Sequence, residues 1–275
     1  MELGRYNTLE IIRETDPGLY LADQEGNEVL LPHKYKPETY KEGDAIEVFV
    51  YRDNEARLIA TTLKPKAEVG EFAYLRCSQQ TNHGAFMEWG IEKDLFVPFK
   101  EQARKMTPGS WYTVYIYIDP KTERLVGSSK TKKYLSNDNV ELNKYDKVDI
   151  LITHITERGA NAIVNGKHDG LIYIENIFED IRSGDRLPAY VKKIRPDNKI
   201  DLLLQPEGYR SIAPNADYLL EELEMAGGFL ALTDKSDPEQ IKELLGMSKK
   251  SFKKALGTLY KARKVKIEED GISLI

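Results

Sequence analysis

The chain has 275 residues, 41% of them hydrophobic and 31% charged, with a net charge of −5 and one cysteine, Cys77. That is enough apolar material for two or more packed domains, yet no run approaches the roughly 20 apolar residues of a membrane span. A lone cysteine rules out an internal disulfide and suits a reducing cytoplasm, and the opening Met1-Glu2-Leu3-Gly4-Arg5 does not read as a secretory signal.

Residues 1–66 carry short apolar runs bounded by Gly, Pro and Asp: Gly18-Leu19-Tyr20-Leu21, Val29-Leu30-Leu31-Pro32, Gly43 to Val48 and Leu58-Ile59-Ala60-Thr61. Such runs read as strands. Tyr20 alternates with Leu19 and Leu21, so its ring is a candidate platform for an unpaired base. The plainer reading is a β-forming residue at a half-buried site. The segment holds 9 basic and 13 acidic side chains, a poor balance for holding phosphates.

Residues 67–134 repeat the pattern in its most regular form. Asn82-His83-Gly84 breaks the first strand pair, Pro108-Gly109 precedes Trp111 to Ile118, and Asp119-Pro120-Lys121-Thr122 ends that strand. Alternation puts Val114, Ile116 and Ile118 on one face, expected to be core, and Tyr115 and Tyr117 on the other. His83, Phe86, Trp89 and Phe99 are expected around one barrel face. Lys93, Lys100, Arg104, Lys105, Lys130, Lys132 and Lys133 lie near them in sequence. Rings for bases and cations for phosphates are what a single-stranded nucleic acid requires. Trp89 also suits core or hinge packing. The segment has 10 basic and 8 acidic residues, the only positive balance in the chain.

The stretch 134–143, opening Tyr134-Leu135-Ser136-Asn137-Asp138-Asn139, reads as a linker. A third copy over 143–214 follows, with Arg158-Gly159-Ala160-Asn161, Gly170-Leu171-Ile172-Tyr173 and the basic cluster Lys192-Lys193-Ile194-Arg195. Arg158, Tyr173, Lys192, Lys193 and Arg195 are its candidate contacts.

From residue 215 the period turns helical. Tyr218, Leu219, Glu222, Leu223 and Ala226 share one spacing, and Gly227-Gly228 stops it. Asp237-Pro238 starts a second helix with Ile241, Leu244 and Leu245 as its apolar side. Ser248 caps a third, whose expected apolar face is Phe252, Ala255, Leu256, Leu259 and Tyr260, with Lys250, Lys254 and Lys261 opposite. Val265-Lys266-Ile267 and Ile272-Ser273-Leu274 flank a hairpin turn, completing a winged helix. Glu268, Glu269 and Asp270 at the wing tip would repel a phosphate backbone.

The marker glycines Gly43, Gly109 and Gly184 stand 66 and then 75 residues apart, a whole small domain rather than a solenoid unit. The fold expected is mainly β: three tandem five-stranded barrels of the oligonucleotide-binding type, then an α+β winged helix at 215–275. The Gly-aromatic strand, the Leu-Phe-Val-Pro or Gly-Leu-Ile-Tyr strand and the following Gly-led strand resemble the ribosomal protein S-one type of RNA-binding barrel. His83-Gly84-Ala85-Phe86 is the nearest match, and Asn161 stands where an aromatic is expected. Three such copies and a helical tail resemble the bacterial conserved virulence factor B family, which implies RNA binding and virulence-type or post-transcriptional gene regulation.

No enzyme is expected. His33, His83, His154 and His168 have no metal spacing with one another or with Cys77, and there is no phosphate loop or nucleophile elbow. No cofactor is called for. Three readings remain: a cytoplasmic single-stranded RNA-binding protein, a protein-interaction or ribosome-associated adaptor with a degenerate RNA face, and a DNA-binding regulator acting through Lys250 and Lys254.

Overall fold

The computed structural model describes residues 1–177, 180–205, 213–268 and 270–275. Three closed five-stranded barrels follow one another. The first is built from β1 (Tyr6–Thr15), β2 (Gly18–Ala22), β3 (Glu28–Pro32), β4 (Ala45–Arg52) and β5 (Leu58–Thr61). The second uses β6 (Phe72–Gln80), β7 (Gly84–Glu88), β8 (Leu95–Pro98), β9 (Trp111–Ile118) and β10 (Leu125–Ser128). The third uses β11 (Lys147–Thr156), β12 (Gly159–Val164), β13 (His168–Tyr173), β14 (Arg186–Ile194) and β15 (Ile200–Leu203). Each has the spatial order 1-2-3-5-4, and a short 3-10 turn follows its third strand. By contact density the chain forms two compact units: Met1–Leu142 with Val148–Pro188 and Ile194–Asp201, and Asn143–Lys147 with Ala189–Lys193 and Leu202–Ile275.

Two glycines per barrel explain why the repeat survives. The first strand is bulged at the same place in each copy, between Ile11 and Arg13, Cys77 and Gln79, and Ile152 and His154. The marker glycine donates its N–H to the residue before the bulge: Gly43 to Ile11 and Gly109 to Cys77 at 2.8 Å, Gly184 to Ile152 at 2.7 Å. It does so at φ of 92°, 83° and 99°, a conformation side chains disfavour. The glycine opening each second strand faces a different constraint. A Cβ on Gly18, Gly84 or Gly159 would lie 2.0, 2.4 or 2.0 Å from the carbonyl oxygen of Leu31, Val97 or Ile172. A threonine three residues earlier locks each turn: the hydroxyls of Thr15, Thr81 and Thr156 donate to the carbonyls of Gly18, Gly84 and Gly159.

Alternation fills the interiors. Val114 and Ile116 are fully buried, and Tyr115 and Tyr117 are half-buried against Tyr134, with ring centroids at 3.9 and 5.9 Å. Ile118, expected in the core, is exposed, because it occupies the last paired position of β9, opposite Leu125. Trp89 is core, 2% exposed, with its ring edge-on to Phe49 of the first barrel at 5.6 Å and its indole N–H donating to the Lys93 carbonyl. Phe49, Tyr51 and the interior of the second barrel form one continuous apolar cluster. The expected linker at 134–143 is pinned where it begins. The Ser136 N–H donates to the Lys167 carbonyl, and the Asn137 amide donates to the carbonyls of Asp169 and Asn198 at 2.8 and 2.9 Å.

Glu101 supplies a buried charge to the second barrel. Burial pushes its carboxyl up, but the Ser128 hydroxyl at 2.7 Å and the Lys133 ammonium at 3.2 Å outweigh it, so the net shift is downward. A carboxylate held below its ordinary value stabilises the fold fully at neutral pH, and that contribution drains away as acid protonates it. Glu101→Ala should cost about 1–3 kcal/mol at neutral pH. The deficit should shrink at acidic pH in urea titrations; a pH-independent deficit would remove the charge from the explanation.

The tail contains α1 (Ala213–Met225), β16 (Phe229–Leu230), α2 (Pro238–Leu245), α3 (Lys249–Lys261), β17 (Val265–Ile267) and β18 (Ile272–Leu274), with sheet order β16-β18-β17. Asp237 caps α2 by accepting from the Glu239 N–H, Ser248 caps α3 by accepting from Ser251, and Gly246 closes α2 at φ 62°. Leu244 and Tyr260, expected on apolar faces, are 59% and 56% exposed. At about 100° per residue Tyr260 lies roughly 80° round from Phe252, past the edge of the buried stripe. Its own cluster of buried side chains runs from Ala216 to Ile272. A fragment of residues 215–275 should therefore fold alone, with a helical circular dichroism spectrum and a cooperative melt; a coil spectrum would contradict this. The boundary expected near residue 214 adjoins 206–212, and these, like Glu269, lie outside the described residues.

Candidate nucleic-acid interface

On the second barrel a cleft of about 600 Å³ opens over β7 and β8. Strand alternation turns Ala85 and Met87 fully inward, leaving Phe86 half-buried on the outer face. Phe96 stands directly opposite it on β8, with centroids 5.2 Å apart and planes inclined by 44°. His83, in the β6–β7 turn, and Asp119, Thr122 and Arg124, around the β9–β10 loop, close two sides. This combination of second strand, third strand and the 1–2 and 4–5 loops is where barrels of this type take oligonucleotides.

Cations ring the cleft: Arg52, Lys93, Lys100 and Arg124, against the carboxylates Asp94 and Asp119. The Lys93 ammonium donates to the Arg52 and Asp53 carbonyls, both at 2.8 Å, so a loop of the first barrel supplies part of the wall, including Asn54. Burial pushes the Lys93 ammonium down from its ordinary value, and the Arg124 charge adds to this.

Of the residues expected on this face, the structure brings His83, Phe86, Trp89, Lys93 and Lys100 together, Trp89 as a buried wall of the cleft, and separates the others. Phe99 is 44% exposed on the turn after β8 and does not line the cleft. Arg104 stands over the Tyr112 ring at 5.4 Å. Lys130 caps the turn at 131–134 and lines neither this cleft nor the groove of the third barrel, whereas Lys132 belongs to that groove. Phe96 and Arg124 had no place among the expected contacts. Their signal was the strand position opposite Phe86 and the loop after the tyrosine-rich strand.

The corresponding groove of the third barrel, about 440 Å³, is lined mostly by charged and amide side chains, with Leu135, Leu171 and Ile200 between them. Asn161 faces Leu171 where Phe86 faces Phe96. Arg158, Lys132, Arg195 and Lys199 surround it, with Asp169 and Asp201. The Tyr173 ring has the Arg158 and Arg195 guanidinium carbons 5.7 and 5.5 Å from its centroid, and Arg195 is tied to Asp201 at 3.0 Å. Lys192 and Lys193 are neighbours on β14, so they point to opposite sheet faces and do not extend this cluster.

The first barrel departs from expectation. The Tyr20 ring is already covered by the Arg13 guanidinium at 4.3 Å, and Arg13 is gripped by both Glu28 oxygens at 2.8 and 2.6 Å. An arginine therefore occupies the position a stacked base would take. In the tail, Lys250, Lys254 and Lys261 are exposed on α3, along one stripe at helical spacing. Asp270 is exposed near the wing tip and Glu268 pairs with Lys266 at 3.0 Å. Among the described residues no group of three His, Cys, Asp or Glu side chains is placed to hold a metal ion.

The family model described as S1 domain matches residues 3–63, and the one described as CvfB-like winged helix domain matches residues 217–274. The chain resembles the CvfB family. The conserved virulence factor B of Staphylococcus epidermidis is 22% identical over 283 residues, covering 99% of this chain and 94% of its own. The YitL protein of Bacillus subtilis (strain 168) is 28% identical over 286 residues, covering 98% of this chain and 93% of its own. A solved multidomain protein with nucleic acid binding domains from Streptococcus pneumoniae is 26% identical, covers 99% of this chain and 98% of its own, and superposes with a TM-score of 0.42. The CvfB-like resemblance thus extends over nearly the whole chain, although the S1 model falls on the barrel whose tyrosine is covered.

Proposed function

We propose that the chain is a non-catalytic RNA-binding protein that holds single-stranded RNA on its second barrel. The S1 and winged-helix domains and the conserved virulence factor B names support a nucleic-acid-binding regulator, and these domain types are not known as enzymes. The observation that carries the finer reading is the Phe86–Phe96 pair in a cation-rimmed cleft. Paired rings accept unstacked bases of any sequence. Duplex RNA, read by shape across a shallow groove, has no base faces to offer them. His83, Phe86, Phe96, Lys100 and Arg124 are the contacts assigned here; Phe99 and Lys130 are not.

The domains are taken as 1–66, 67–134, 143–214 and 215–275. The covered Tyr20 keeps a protein-facing role open for the first barrel, as in the adaptor reading. The α3 stripe of Lys250, Lys254 and Lys261 is a secondary basic surface for nucleic acid or a protein partner. The test is fluorescence anisotropy of the full chain with labelled poly-U, poly-A and duplex DNA at two salt concentrations. Single strands should bind with modest, salt-sensitive affinity and duplex DNA more weakly. Failure to bind any single strand at low salt would leave the adaptor reading.

A further inference from the structure

The third barrel replaces the ring at the stacking position with an amide, and its groove is filled with hydrogen-bonding groups. The outer face of β13 presents Asp169, Leu171 and Tyr173 in turn, because alternate residues share a face. Leu171 lies opposite Asn161. Among the described residues neither the Asn161 side-chain amide nor the Asp169 carboxylate has a hydrogen-bond partner, and both line the groove. Asn137 binds the Asp169 backbone on both its N–H and carbonyl, which fixes where that carboxylate stands without engaging it. Asp169 is open to solvent, yet burial pushes its carboxyl up from the ordinary value, with Lys132 and His154 pulling it back.

We propose that this groove is a base-reading subsite that selects guanine in single-stranded RNA. The inference rests on the RNA-binding function proposed above and assigns the third barrel a separate task within it. An ionised carboxylate only accepts hydrogen bonds, and guanine is the base whose Watson–Crick edge offers two adjacent N–H donors. Its other edge carries the O6 and N7 acceptors that arginine and lysine pair with; Arg158 and Lys132 stand in the same groove. Adenine presents one amino group beside an acceptor that the carboxylate would repel. The Tyr173 ring, with the Arg158 and Arg195 guanidiniums beside it, provides a flat cationic neighbour for the exposed base face. The second barrel holds RNA of any sequence, and the third sets the preference.

The test uses the full chain and labelled uridine oligomers of about 11 nucleotides, unsubstituted or with a single central G or A. The wild-type protein should bind the G-containing strand about tenfold more tightly than the A-containing one. Asp169→Asn should bring that ratio close to one, because the isosteric amide turns an N–H donor toward guanine and leaves the backbone bonds to Asn137 in place. The ratio is the readout, since losing a negative charge raises affinity for every RNA alike. Equal binding of G and A strands by the wild type, or an unchanged ratio in Asp169→Asn, overturns the guanine site while leaving RNA binding intact. Absence of binding to all three strands overturns both.

Discussion

Trp89→Ala should lower stability by about 3–5 kcal/mol, the range for deleting a large buried aromatic. The ring is 2% exposed, packs on Phe49 and donates from its indole nitrogen to the Lys93 carbonyl. Its loss leaves a cavity in the cluster that the first two barrels share. The same side chain holds the Lys93 segment, whose ammonium reaches the Arg52 and Asp53 carbonyls, so the damage should reach both barrels. Urea unfolding followed by a probe in each of the first two barrels should show both transitions moving together. A loss below about 1 kcal/mol, or a shift confined to the second barrel, would contradict a common core.

Gly159→Ala should be comparably severe. The new methyl would lie 2.0 Å from the Ile172 carbonyl oxygen and 2.9 Å from the Tyr173 Cα, both backbone atoms that cannot rotate aside, at φ 141°. Strain of about 1–3 kcal/mol for the backbone conformation adds to about 1–3 kcal/mol for overpacking. Gly166→Ala, with no atom near the added methyl, is the control and should cost less. A melting temperature for Gly159→Ala equal to that of the control would show that β12 and β13 can part without penalty.

The barrels could be read from the sequence because their constraints are local. Gly18, Gly84 and Gly159 meet the next strand's backbone, and Gly43, Gly109 and Gly184 meet the bulge, so each copy keeps them whatever its surface does. The threonines at 15, 81 and 156 were equally visible at constant spacing, but their hydroxyls gain a meaning only once the turn is seen. The site was less accessible to sequence. Phe86 and His83 could be found because they flank Gly84. Phe96 needed strand register, Arg124 the closing loop, and Arg52 and Asn54 the packing of another barrel. Proximity in sequence misassigned Lys132, which follows β10 yet stands against the third barrel. For Tyr20, alternation alone does not show that Arg13, its direct cross-strand partner just after the bulge, covers the ring.

The cleft between Phe86 and Phe96 is tested most directly by measuring single-stranded RNA affinity for Phe86→Ala at low and high salt, with melting temperature recorded alongside. Phe86 is only half-buried, so the variant should remain folded. Affinity for poly-U should fall by about 1–3 kcal/mol per lost stacking ring, nearly equally at both salt concentrations, because stacking releases few counterions. Arg124→Ala should instead flatten the salt dependence, by about 0.7 in logarithmic slope for one phosphate contact on a single strand. Unchanged poly-U affinity in a stably folded Phe86→Ala protein would contradict RNA binding at the second barrel.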